Sequence, residues 1–181
     1  QRAEKEDDAP ALTNVLKELA AERRGDPELT EWATDLAERD KPAAEALADA
    51  VRASSGRWAG DISLGEHGLV PGDIHASEAL FWEALGRVAD AKAAWFSAAL
   101  AYDAEATASR LGLARGANIE RAYCLRKAGR LEEARALYVS RVGAYPDEFT
   151  FHYGYGRLLL ELKDYQAALA SAHGALKNSY G

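Results

Sequence analysis

A recurring short segment constrains the fold of this chain more than any other sequence feature. The segments Gly129–Ala134 (GRLEEA) and Lys163–Ala168 (KDYQAA) align with each other, and their final alanines lie 34 residues apart. A third match, Gly86–Ala91 (GRVADA), lies 43 residues before the middle one. A fixed spacing of about 20 to 50 residues is typical of stacked repeats, in which each unit buries its apolar face against the next.

Each match lies between two apolar-periodic segments, which predicts a hairpin of two helices joined by a short turn. The predicted helices are 75–85 and 88–102 in the first unit, 117–127 and 131–144 in the middle unit, and 149–162 and 165–177 in the last. Pro146 ends the second helix of the middle unit, because proline cannot continue a helix. Residues 103–116 predict a continued helix over 104–113, with Gly112 and Gly116 as irregularities. The first helix of the middle unit is therefore expected to be about two turns longer than usual.

The residues of the three units resemble the tetratricopeptide repeat family over about residues 73–177. The matches are Tyr155, Gly156, Leu159, Tyr165, Ala168 and Ala175 in the last unit, Leu131, Ala134, Tyr138 and Pro146 in the middle unit, and Ala79, Trp82, Val88, Ala91, Trp95 and Ala98 in the first. Arg121 and Arg141 depart from the family pattern. The resemblance implies an all-α fold, with antiparallel helical hairpins stacked as a right-handed superhelix. It also implies a concave groove that binds protein segments.

The region before the repeats is predicted to be helical but does not match the family pattern. Residues 1–10 are charged and expected to be frayed. Residues 11–54 predict three helices, over 11–23, 29–39 and 43–53, which serve as degenerate repeats or as an N-terminal cap. Residues 55–72 are rich in glycine and predict a loop. The repeat region then covers 73–181, divided into 73–103, 115–147 and 148–181.

The net charge and residue composition argue against several classes of protein. The formal net charge is −7 and the estimated pI is about 5.2, which disfavours nucleic acid as the main partner. No run of about 18 apolar residues exists, so no membrane span is expected. The single cysteine excludes an internal disulfide and fits either a reducing compartment or a periplasm. We expect a soluble protein, in the cytoplasm rather than the periplasm. Because the sequence begins at Gln1 and contains no methionine, we also expect a piece of a longer protein or a processed one.

Residues that could carry chemistry are few, and each has a simpler structural interpretation. Glu66, His67, Asp73 and His75 could ligate a metal ion, but their spacing gives no fixed geometry, and Asp73 suits the start of a helix. Cys124 is expected to be a buried small hydrophobe. His152 and His173 belong to no Ser–His–Asp arrangement, and His152 is expected to be packed or at the surface. We therefore expect no enzyme, no cofactor and no metal.

The strongest candidate site is a surface on the first helices of the units. Transferring the family's groove positions by the repeat register gives a basic, aromatic patch of Tyr123, Arg126, Lys127, Tyr153 and Arg157. Tyrosine and arginine dominate binding hot spots, because they bury a large area and still offer directed polar contacts. Such residues could also simply solvate the groove wall. The carboxylate clamp that grips acidic chaperone tails is not expected, because its positions hold Ala76, Leu80, Glu120, Thr150 and Gly154.

Three functions remain open at this point. The first is a scaffold or adaptor that binds a peptide or protein segment in the concave groove. The second is an accessory repeat region of a larger enzyme or redox protein whose catalytic domain lies elsewhere. The third is self-assembly into a homo-oligomer through an uncapped last hairpin, whose outer face near Leu159, Leu169 and Leu176 is expected to be exposed.

Overall fold

A computed structural model describes residues 27–54, 70–109 and 111–179, together with the helical residues 11, 14, 15 and 18. The three continuous parts contain eight helices and no strand, which confirms the predicted all-α class. The helices are α1 (Pro27–Arg39), α2 (Lys41–Ser54), α3 (Pro71–Ala84), α4 (Val88–Ala108), α5 (Leu111–Lys127), α6 (Leu131–Ala144), α7 (Phe149–Glu161) and α8 (Tyr165–Asn178). The chain divides into two compact units, Gln1–Ala94 and Trp95–Gly181.

The helices predicted around the 34-residue spacing agree well with those observed. The bounds of α6 are as predicted, and α7 and α8 each differ from prediction by one residue at their carboxyl ends. The helix α5 begins at Leu111, so the expected extension of about two turns is confirmed. Both Gly112 and Gly116 lie inside this regular helix.

Several predicted boundaries around the first repeat are wrong. The chain does not form one helix over 104–113, because α4 continues to Ala108 and a bend at Ser109 separates it from α5. The predicted loop over 55–72 ends too late, since α3 begins at Pro71, and proline suits the first turn of a helix. Asp73 is not the residue that begins this helix. It lies in the first turn, where its Oδ2 accepts the backbone N–H of Val70 at 2.9 Å. Residues 1–10 and 55–69 lie outside the described residues.

In the first compact unit, Gln1–Ala94, α1 packs against α2 and α3. Its core combines small and large apolar side chains, namely Ala33, Leu36, Ala44, Leu47, Ala48, Ile74, Ala79, Phe81, Trp82, Leu85, Ala91 and Ala94. Arg87, in the turn after α3, forms ion pairs with Asp49 of α2 at 3.3 Å and with Asp90 of α4 at 3.4 Å. On α1, Leu36 is buried and Trp32 is partly exposed.

The three aligned segments begin in turns of the same geometry. Gly86, Gly129 and Lys163 have φ values of 68°, 78° and 60°, the left-handed conformation that follows the end of a helix. In each turn the next residue donates its N–H to the carbonyl five residues earlier, at 2.9 Å in all three. The left-handed residue itself donates to the carbonyl three residues earlier, which completes a Schellman motif. The sequence recurrence therefore corresponds to a repeated helix–turn–helix structure.

In the second compact unit, Trp95–Gly181, α7 is the central helix. It packs against α5, α6 and α8. Its buried side chains Phe151, Leu158 and Leu159 are fully inaccessible to solvent. The approach to α6 is close at Gly154, where an added Cβ atom would lie 2.5 Å from the hydroxyl oxygen of Tyr138. A glycine at this position thus permits the seating of α7 on α6.

Candidate binding surface

The five residues predicted to bind a peptide fall into two clusters in the second unit. The first, here called the α5 cluster, contains Tyr123, Arg126 and Lys127 of α5 with Trp95 of α4. The Tyr123 ring packs edge-on against the Trp95 ring, with 5.5 Å between centroids. The Arg126 guanidinium lies 5.4 Å from the Tyr123 ring and the Lys127 ammonium 5.4 Å from the Trp95 ring, both within range of a cation–π attraction.

The second cluster, here called the α7 pair, consists of Tyr153 and Arg157. Half of the Tyr153 surface is exposed. Its ring stacks on the Phe149 ring at 5.7 Å and lies 5.9 Å from the Arg157 guanidinium. These residues are spaced four apart along α7, so they share one side of the helix. The pair thus presents a stacked aromatic surface with one guanidinium at its edge.

Arg126 is already used within the fold. It forms an ion pair and hydrogen bond with Glu161 of α7, and its side chain is only 9% exposed. Because its charge is compensated, the predicted basic patch is less basic than the sequence indicates. Among the described residues, no carboxylate forms an ion pair with Arg157, and its side chain is exposed.

The α7 pair borders an open groove of about 720 Å³ between α7 and α8, here called the α7–α8 groove. It is lined mainly by apolar side chains, with Arg157 as the one Lys, Arg, Asp or Glu among the lining residues. They are Phe149, His152, Tyr153, Gly156, Arg157 and Leu160 of α7, and Tyr165, Ala168, Leu169, Ala172, Ala175 and Leu176 of α8. Of the five predicted residues, Tyr153 and Arg157 line this groove, while Tyr123, Arg126 and Lys127 do not.

The apolar walls of the groove were only partly found from the sequence. Leu169 and Leu176 were expected to be exposed, and each is 60% exposed. The same expectation for Leu159 is wrong, because Leu159 is fully buried, while its neighbour Leu160 is 55% exposed. The sequence carries a signal for these walls: Phe149, Tyr153 and Leu160 of α7 are spaced four and seven residues apart, about one and two helical turns. Residues 165, 169 and 176 of α8 have the same spacing, so each set shares one helix face.

Small residues and polar contacts hold α8 against α7 and against the turn that precedes α7. A Cβ atom added at Gly156 would lie 3.7 Å from the Cβ of Ser171, an ordinary contact distance, so the helices lie close. The Ser171 hydroxyl donates to the carbonyl oxygen of His152 at 2.8 Å. The Asn178 side chain donates to the carbonyl of Pro146 at 2.9 Å, and the His152 Nε2 lies 2.8 Å from that same oxygen. His152, expected to be packed or at the surface, is half-buried.

The described residues contain no cluster of three or more His, Cys, Asp or Glu side chains that could hold a metal ion. Cys124 is buried, as predicted. His75 lies 3.6 Å from Glu78 within α3, and Glu66 and His67 lie outside the described residues. Burial raises the pKa of Tyr138 to about 12, and this ring stacks on Tyr155 at 5.9 Å where α6 packs against α7.

Comparisons with protein-family models, curated proteins and solved structures give no match. The tetratricopeptide resemblance therefore rests on the residues of this chain alone. In the described parts of the chain, no helix combines the length and apolar character needed to cross a membrane.

Proposed function

We propose that this chain is a protein-interaction module, a scaffold or adaptor that binds a segment of another protein. The observation that carries the proposal is the exposed Tyr153–Arg157 pair at the edge of the open α7–α8 groove. Exposed apolar patches rimmed by polar residues mark interaction sites on soluble proteins, and tyrosine and arginine supply much of the energy at such sites.

The repeated turns support a tetratricopeptide-like organisation of the second unit. Schellman turns recur at Gly129 and Lys163 with the 34-residue spacing, so α5 and α7 are the first helices of successive hairpins. In the family that this chain resembles, the first helices line the ligand groove. We therefore include Tyr123 of the α5 cluster in the proposed binding surface, with Arg126 as a residue that supports α7 through Glu161.

The proposal can be tested by site-specific crosslinking. A photoreactive amino acid placed at Tyr153 is expected to capture a protein partner in cells that express the chain. The matched control is Val139 on α6, which is 54% exposed but lies outside the groove. Adducts of the same partner and yield from both positions, or from neither, would contradict the assignment of the surface.

Once a partner is captured, point variants separate binding from folding. Tyr123→Ala and Arg157→Ala are each expected to weaken its binding by about 1–2 kcal/mol, the usual scale for residues that contribute strongly to an interface. Both side chains are exposed, so the helical circular dichroism signal is expected to stay unchanged. A loss of binding that parallels a loss of helicity would remove the support for this surface.

A further inference from the structure

The second unit contains one filled example of a groove between two hairpin helices. The helix α7 packs against both α5 and α6, and its buried face includes Phe151 and Leu158. At its carboxyl end, α7 presents the carboxylate of Glu161 to Arg126, whose guanidinium lies over the Tyr123 ring. An amphipathic helix with one carboxylate beside its apolar stripe is thus what occupies the hairpin α5–α6.

The next hairpin repeats these features. The α7–α8 groove has apolar walls that include Leu160, Leu169 and Leu176, all more than half exposed. At its edge, Arg157 lies over the Tyr153 ring, as Arg126 lies over Tyr123. The two arginines are not in strict register, since Arg157 is six residues before its turn at Lys163 and Arg126 three residues before Gly129. A helix bound here would therefore place its carboxylate about 5 Å, one helical turn, further from the left-handed residue that ends the first helix of the hairpin.

We propose that the α7–α8 groove binds an amphipathic helix of a partner protein, with the apolar stripe of that helix in the groove and a carboxylate beside it paired with Arg157. This inference rests on the proposed function, because it uses the α7 pair, which belongs to the proposed binding surface, and it adds the class of partner segment. An amphipathic helix in an apolar groove is a common mode of peptide recognition, with anchors at positions i, i+3, i+4 and i+7.

The charges favour an acidic helix over a second copy of the same face. No aspartate or glutamate lines the groove, and the sequence of α8 contains neither residue. A two-fold dimer through this groove would bring Arg157 of both copies into one interface without a carboxylate among its lining residues to compensate them. An acidic partner helix instead supplies the opposite charge.

The test uses two synthetic helical peptides of the length of α7, 13 residues. Both carry the same leucine and phenylalanine stripe and an internal crosslink, because short isolated helices are marginal in water. One has glutamates beside the stripe and the other has lysines. Fluorescence anisotropy with the full chain is expected to show the glutamate peptide binding about fivefold more tightly than the lysine peptide. The preference is expected to shrink at high salt.

Three variants assign the binding to the groove. Arg157→Glu is expected to reverse the preference between the two peptides. Leu169→Glu is expected to weaken both by about tenfold or more, because it places a charge in the apolar contact. The matched control is Leu100→Glu on α4, since Leu100 is 55% exposed and lies outside the groove. It is expected to leave both affinities unchanged.

Several results would overturn the inference. Equal affinity for both peptides would remove the role of Arg157, and no saturable binding of either would remove the helix. Sedimentation that shows a dimer of the chain, dissociated by Leu169→Glu but not by Leu100→Glu, would assign the groove to a second copy. If crosslinking from position 153 captures a partner while neither peptide binds, the proposed function stands and the helical class of its ligand is wrong.

Discussion

The hairpins α5–α6 and α7–α8 are built alike, but within the described residues a following helix packs only against the first. Both turn through a left-handed residue in a Schellman motif, and both carry a tyrosine under an arginine on the first helix. On the first hairpin, α7 covers the apolar surface and Glu161 compensates Arg126. On the second hairpin, the corresponding surface is an open apolar groove edged by Arg157.

This difference shows that the two arginines have different roles despite their similar surroundings. Arg126 is 9% exposed and stabilises the contact between α5 and α7, so its contribution is to the fold. Arg157 is exposed, and no described carboxylate pairs with it, so none of the described residues compensates its charge. The sequence alone presents both as members of one basic patch.

The largest expected effect is a difference in unfolding free energy between variants at two adjacent residues of α7, one on the covered surface and one on the open surface. Leu159→Ala is expected to lower the free energy of unfolding by about 2–5 kcal/mol, since Leu159 is fully buried and its removal leaves a cavity. Leu160→Ala is expected to change it by less than about 0.5 kcal/mol, because Leu160 is exposed in the groove. Urea denaturation of both variants checks the comparison. Similar losses at the two positions would show that Leu160 is covered in solution.

The misplacement of Leu159 illustrates where sequence reasoning stops. Period and turn residues located α6 to the residue, because apolar spacing and the left-handed turn are local properties. The side of α7 that is covered depends on which helices pack around it, and three apolar residues in a row, Leu158 to Leu160, do not encode that choice. The break near Ser109 was also missed, because no glycine or proline lies at that position.

The candidate site was also only half predictable. The register placed Tyr153 and Arg157 on one helix face, and in the structure they lie at one groove edge. The register gave no information on Glu161 as the partner of Arg126, because an ion pair between α5 and α7 depends on how those helices cross. Long-range side-chain pairing of this kind requires coordinates.

A smaller effect on stability is expected from the carboxylate of Glu161, which pairs with Arg126 where α7 packs against α5. Glu161→Gln is expected to lower the free energy of unfolding by about 1–2 kcal/mol, because it leaves the largely buried Arg126 without its carboxylate. This is less than the loss of a fully buried pair, since the Glu161 side chain is 43% exposed and water screens part of the interaction.

The matched control for that variant is Arg157→Gln in the open groove, expected to change the unfolding free energy by less than about 0.5 kcal/mol. Thermal or urea unfolding of the two variants and of the double variant measures both terms. If Arg157→Gln destabilises as much as Glu161→Gln, Arg157 contributes to the fold as Arg126 does, and the contrast between the hairpins disappears.

The smallest expected effect is a pH dependence that arises where α7 covers α6. Tyr138 is buried there, and its pKa is raised from 10.0 to about 12, chiefly by desolvation, with Arg126 and Arg157 opposing the rise and Glu120 and Glu161 adding to it. Because the folded pKa lies above the unfolded one, the stabilisation from this group is complete below pH 10 and is lost as the pH rises from about 10 to 12. The unfolding free energy is therefore expected to fall by about 1 kcal/mol between pH 9 and 11 through this tyrosine.

Tyr138→Phe is expected to remove that part of the decrease, measured by urea denaturation at each pH. The control is Tyr165→Phe in the exposed groove, and an equal change in both variants would contradict the assignment to the covered surface.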